Sequence, residues 1–109
     1  MDRVEQLLIY LAENPRDSFL QYALALEYIK KGEMETGLKY FEALVEADPD
    51  YVGTYYHLGK LYNKLGRKSD AENCYTTGLK IATKLNDQHS FAELQNAKTN
   101  LSLGIDDDE

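Results

Sequence analysis

Pro15 and Pro49 lie 34 residues apart, and so do Gly32 and Gly66. A shared offset between two pairs of chain-bending residues narrows the fold sharply, because a fixed period of about 20–50 residues marks a chain that stacks copies of one small unit. Overlaying the stretch from Ser18 on that from Val52 pairs Leu24 with Leu58, Ala25 with Gly59, Tyr28 with Tyr62 and Phe41 with Tyr75. Large residues meet large ones and small meet small, so both copies need the same packing.

The unit is helical. Tyr51, Tyr55, Leu58, Tyr62 and Leu65 recur at steps of four, three, four and three, which places them on one stripe of a helix. Met34, Leu38, Phe41 and Val45 do the same, as do Phe91, Leu94, Ala97 and Leu101. The segment from Phe19 to Ile29 is apolar almost all round, the pattern of a helix covered on several sides. Gly32 and Gly66 stand where a helix must turn through the left-handed region, and Pro15 and Pro49 forbid continuation at the other turn. Asp17 and Asp50 are expected to accept from the free amides of the helices that follow them, and Ser69 with Glu72 has the spacing of a capping box.

The ends repeat only in part. Val4, Leu7, Leu8 and Leu11, before Asn14-Pro15, overlay on the close of the first copy's second helix, so residues 2–13 read as half a unit capping one face. Thr83 replaces the proline expected after the second copy, so its last helix runs on to about Leu85. Residues 88–103 then form a further helix, three residues out of register, that presents a polar outer side. The expected fold class is all-α, with six helices and no sheet. One domain covers 1–104: helix 2–13, first unit 18–49, second unit 52–85 and closing helix 88–103.

Composition sets the limits on function. A chain of 109 residues suits one domain. Lys and Arg number 12 against 19 Asp and Glu, a net charge of −7, and Asp106, Asp107, Asp108 and Glu109 carry four of those charges. Such a balance argues against nucleic acid, whose non-specific affinity comes from cations neutralising phosphates. No apolar run approaches the roughly 20 residues that span a bilayer, and the first residues show no basic region leading into an apolar one. A cytoplasmic, membrane-free protein is expected, and the single Cys74 cannot form an internal disulfide.

Catalytic material is scarce. His89 and Glu93 share a helical face, but two ligands are too few for a structural metal and read as an exposed pair. Cys74 has no basic neighbour in sequence and reads as a small packed residue. The glycines follow helix turns and packing rather than a phosphate-cradling loop. No base, nucleophile and orienting group can be assembled around His57 or Cys74, so no enzyme, cofactor or metal is expected.

The second copy reads Tyr55-x-x-Leu58-Gly59-x-x-Tyr62 and then Ala71-x-x-x-Tyr75, which resembles the tetratricopeptide repeat signature, in its small bacterial-type form. The first copy is looser: Gln21 stands at the leading aromatic, Ala25 at the glycine and Gly37 at the alanine, while Leu24, Tyr28, Phe41 and Pro49 are kept. The resemblance implies a right-handed α-α superhelix. It also implies that Tyr28, Tyr62 and Tyr75 are core residues, with Tyr55 taking the leading aromatic's place.

It further implies a protein-protein interaction module whose first helices line a concave groove for a partner peptide or helix. On that reading the first repeat offers Phe19, Tyr22, Leu26, Ile29 and Lys30, and the second Gly53, Tyr56, Lys60, Asn63 and Lys64. One half is apolar and the other basic and polar. Tyr22 and Tyr56, 34 apart and off the core stripe, are either interface anchors or packing residues. The family's carboxylate clamp is not expected, because Tyr22, Leu26 and His57 occupy places where its polar residues would stand. The competing reading is a self-associating homodimer that buries Phe19, Leu26 and Ile29. Residues 105–109 read as a disordered, solubilising acidic tail; the alternative is that they dock in a basic groove containing Lys60 and Lys64.

Overall fold

In a computed structural model, residues 1–105 are described. They form α1 (Arg3–Glu13), α2 (Ser18–Lys30), α3 (Met34–Ala47), α4 (Gly53–Lys64), α5 (Lys68–Lys84) and α6 (Gln88–Leu103), with no strand among the described residues. Most of the acidic tail, residues 106–109, lies outside the described residues. Packing divides the chain into two compact units: Met1–Tyr51, which holds α1 to α3, and the part from Val52 onward, which holds α4 to α6.

Two kinds of turn join the helices. Behind α2, Gly32 takes φ +86°, and the Glu33 amide donates to the Tyr28 carbonyl at 2.8 Å; behind α4, Gly66 takes φ +79°, and the Arg67 amide donates to Tyr62 at 2.8 Å. This is the Schellman closure, in which a left-handed residue lets the chain cap its own helix. The other kind ends α1 at Asn14 and α3 at Asp48, both outside the helical region before a proline. Ser18 Oγ reinforces the α3 end by donating to Asp48 Oδ2 at 2.5 Å.

Thr83 explains the length of α5. With no proline at that position, the helix continues to Lys84, and Thr83 Oγ1 donates back to the Leu79 carbonyl at 2.9 Å. Asn86 then turns the chain at φ +57°, with the Asp87 amide closing on Ala82 at 2.8 Å, so the α5–α6 turn is again of the Schellman kind. α6 spans the residues that the periodicity marks.

Caps follow the sequence only in part. Asp17 accepts from the Leu20 amide, as its position implies. The Ser69–Glu72 capping box does not form: α5 starts at Lys68 with Arg67 in the N-cap position and no side-chain cap bond. The physical reason is the turn before it, where the Arg67 amide already closes the Schellman bond, so the helix resumes at once and Ser69 falls inside it. The box that does form is Asp2 with Glu5, at the head of α1. The Glu5 amide and Lys31, 3.2 Å away, hold the Asp2 carboxyl below the usual range.

In the first unit α2 lies between α1 and α3, which is why it is apolar all round. Val4 and Leu7 of α1 meet Ala23 and Leu24 of α2, with Leu11, Leu20, Tyr28 and Tyr40 packed around them. Tyr28 stacks on Tyr40 with ring centres 5.5 Å apart. In the second unit α5 lies between α4 and α6, and Leu58, Leu61, Ala71, Leu94, Ala97 and Leu101 are buried. Tyr55 and Tyr75 are core residues, but Tyr28 and Tyr62 are only half-buried. Both lie near the C-terminal end of their helix.

Each hairpin closes on a glycine. A Cβ added to Gly59 would run into the Tyr75 ring, and one on Gly78 would lie 2.7 Å from Tyr55 Cβ and 3.0 Å from Leu94 Cδ1. In the first unit the glycine is on the second helix: a Cβ on Gly37 would stand 2.6 Å from Ile29 Cγ1 and 3.1 Å from the Ala25 carbonyl oxygen. Cys74 is buried in the same second-unit core, and its Sγ donates to the Tyr55 carbonyl at 3.4 Å. Burial, with a smaller push from Asp70, raises its thiol to about 12.

Two outcomes follow. Gly59→Ala is expected to cost about 1–3 kcal/mol by overpacking against a buried ring, whereas Gly32→Ala, with open space around it, costs about 1–2 kcal/mol of backbone strain alone. Urea unfolding with a local fluorescence or NMR probe in each unit separates the two, since only Gly59→Ala should weaken the second unit. Cys74 is expected to resist an aromatic disulfide reagent at pH 8 and to react only as the second unit opens. Modification of the native protein within minutes would contradict its burial.

Candidate interaction surface

The residues expected on the first repeat's open face divide by environment. Phe19 is 55% exposed, Tyr22 and Leu26 are half-buried, and Lys30 is exposed. Phe19, Tyr22 and Phe41 form an aromatic run from solvent to core: Phe19 to Tyr22 is 6.5 Å between ring centres, Tyr22 to Phe41 is 6.3 Å, and Phe41 is wholly buried. Tyr22 therefore combines packing with partial exposure. Ile29 departs from the set, because its side chain fills the space above Gly37 inside the α2–α3 hairpin.

Tyr51 belongs with this run and was missed. Its ring lies 5.5 Å from Tyr22, half-buried, and burial together with the Asp17 and Asp48 carboxylates raises its phenol above the usual value. The signal that misled was its place one turn before Tyr55, which assigned it to the core stripe of the second copy.

The second repeat's face is polar. Tyr56 is half-buried, the Lys60 ammonium lies 5.3 Å from its ring centre, and the His57 ring meets it edge-on at 5.2 Å. Burial, with Lys60 second, lowers the His57 pKa, so this imidazole is neutral near pH 7. Asn63 and Lys64 are exposed one turn further on. Arg67 sits 4.6 Å from the Tyr62 ring centre and pairs with Asp70 at 2.8 Å.

The remaining chemical candidates are dispersed. His89 and Glu93 are exposed on α6, and Cys74 is enclosed in the second unit. Among the described residues no three His, Cys, Asp or Glu side chains converge as a metal site requires. Likewise, no helix among them is long and apolar enough to cross a membrane.

Known proteins share this arrangement. The tetratricopeptide repeat model matches residues 20–51 and 52–85. A TPR repeat-containing protein of Pseudomonas aeruginosa is 26% identical over 91 residues, covering 84% of this chain and 87% of the relative. The crystal structure of a tetratricopeptide repeat domain protein from Salinibacter ruber is 49% identical, with a TM-score of 0.77 over 79% of this chain and 97% of that one. A solution structure of a Bordetella parapertussis protein superposes with a TM-score of 0.81 at 25% identity, over 95% of this chain and 90% of its own. The matched segments meet where the first copy gives way to the second, and both carry the helix pair that the 34-residue period demands. The chain belongs to the tetratricopeptide repeat family.

Proposed function

We propose that this chain is a non-catalytic adaptor that holds a partner peptide or helix on the first helices of its repeats. Tetratricopeptide repeats generally serve protein-protein interaction, and the individual side chains here support that use. The observation that carries the reading is Phe19. It is an aromatic left 55% exposed, 6.5 Å from the Tyr22 ring, which in turn lies 6.3 Å from the buried Phe41 ring, so a partner that covers it gains apolar burial on a packed base. Leu26 extends this apolar patch on α2. On α4, Tyr56, Lys60, Asn63 and Lys64 provide a stacking ring, an amide and two cations, which suits a partner carrying carboxylates. Taken singly, the first repeat's face suits an apolar anchor and the second's suits acidic residues.

Peptide-library selection on the immobilised chain tests this reading. Selected peptides should bind with micromolar or better affinity and lose at least about tenfold against Phe19→Ser or Lys60→Glu, the loss of about 1.4 kcal/mol or more that one good anchor contributes. Melting temperatures of both variants should match the parent. Peptides that bind both variants as tightly as the parent would refute the assignment of these residues.

Phe19 also supports the second reading, a homodimer through the apolar patch. Its signature is a molar mass by light scattering that doubles with rising concentration and is insensitive to salt, and it is abolished by Phe19→Ser. A single mass across the range would leave the adaptor reading alone.

A further inference from the structure

Residues 1–51 carry 5 Lys and Arg against 11 Asp and Glu, so the first unit holds most of the net charge of −7. Two of those carboxylates meet at one end of its open face. Asp17 stands at the head of α2, two residues before Phe19, and Asp48 at the end of α3 accepts the Ser18 hydroxyl at 2.5 Å, which ties the two helix ends together. The Tyr51 amide donates to the Asp48 carbonyl at 3.1 Å, and both carboxylates act on the Tyr51 phenol. Neither forms an ion pair among the described residues. Arg16 lines an open recess of about 510 Å³ beside Asp48, but it is exposed and likewise without an ion pair, so this chain's own guanidinium leaves both carboxylates to a partner.

Aromatic rings stand next to these charges. The Tyr22 ring centre is 5.5 Å from that of Tyr51 and 6.5 Å from that of Phe19, at interplanar angles of 56° and 41°, and all three rings keep part of their surface in solvent. Ring faces attract cations, and the surrounding negative field adds to that attraction. An aliphatic partner side chain would cover the rings but would also strip water from the carboxylates without replacing its hydrogen bonds. A lysine ammonium would supply charge, but it is strongly hydrated and has no flat face to lay on a ring. Arginine meets every demand: an apolar stem for Phe19, a planar and weakly hydrated head for the tyrosines, and N–H donors for the carboxylates.

We propose that the first unit's open face is an arginine site, in which a partner peptide's guanidinium lies on the Tyr22 and Tyr51 rings and donates to Asp17 and Asp48. This rests on the reading that the first repeat receives a partner side chain, and it names that side chain. Charge complementarity selects the occupant, and the tilted rings select arginine among cations. The pairing is screened by salt, whereas the stacking and the apolar cover over Phe19 persist.

NMR titration of the full-length chain tests this with three capped peptides, acetyl-Ala-Ala-X-Ala-Ala-amide, in which X is Arg, Lys or Leu. At low salt the arginine peptide should shift the Phe19, Tyr22 and Tyr51 ring signals with saturation near millimolar concentration, and bind at least about threefold more tightly than either of the others. The double variant Asp17→Asn with Asp48→Asn keeps an N-cap acceptor for α2 and an acceptor for Ser18, so it should melt as the parent does and lose at least about threefold in arginine affinity. Tyr51→Leu should lose a similar factor with both carboxylates in place. Equal affinity for the arginine and leucine peptides would overturn the proposal and leave the face an apolar anchor site, as the adaptor reading has it. Equal affinity for arginine and lysine, or arginine binding untouched by both variants, would overturn it as well. Ring signals that none of the three peptides shifts would overturn it together with the reading on which it rests.

Discussion

In each hairpin two helices come together at a residue with no side chain. In the second unit Gly59 receives the Tyr75 ring, and Gly78 receives Tyr55 and Leu94; in the first, Gly37 receives Ile29 and the Ala25 carbonyl. Interiors are packed at crystal-like density, so this missing methyl group sets how closely the helices approach. That distance in turn decides which neighbours are buried. Leu24, Phe41, Leu58 and Ala71 lie beside these crossings and are almost wholly buried. Tyr28 and Tyr62, a turn or so away, are only half-buried.

Much of this was legible from the residues. Prolines and glycines at one offset gave the unit, and the apolar steps gave the helices, including α6 in its full extent. Turn chemistry was readable wherever a single residue decides it, as at Gly32, Gly66 and Thr83. What could not be read depended on competition between neighbouring groups. Ser69 and Glu72 have the right spacing for a box, but the amide ahead of them had already been taken by the preceding turn. Asp2 and Glu5 form the box instead, at the head of α1. Tyr51 and Ile29 each sit on a stripe that serves two neighbours, and periodicity cannot say which one a side chain favours.

The two open faces show how one framework keeps its packing while its surface chemistry changes. Tyr22 and Tyr56, Leu26 and Lys60, and Lys30 and Lys64 occupy equivalent places in the two copies. At the first pair the residue type is kept, but the surroundings differ: aromatic rings around Tyr22, a cation and an imidazole around Tyr56. At the second an aliphatic side chain has become a cation. None of these positions is fully buried, so the exchange leaves the packing of either hairpin untouched. Opposite chemistries can thus be carried on identical scaffolding, as long as the glycine crossings stay as they are.

Asn86 bears on the phase in which one helix follows another. The connection after α3 bends at Pro49 and starts a new hairpin in phase with the last, whereas α5 overruns that point and reverses at a left-handed residue, as the helices inside a hairpin do. α5 is therefore the second helix of one pair and the first of another, and α6 arrives out of phase with the 34-residue period. The change of phase comes from one position: with Thr83 in place of proline the helix runs on, and the turn that follows it is of the kind found inside a hairpin. A single local residue thus decides whether the next helix opens a new pair in step or joins the one before it.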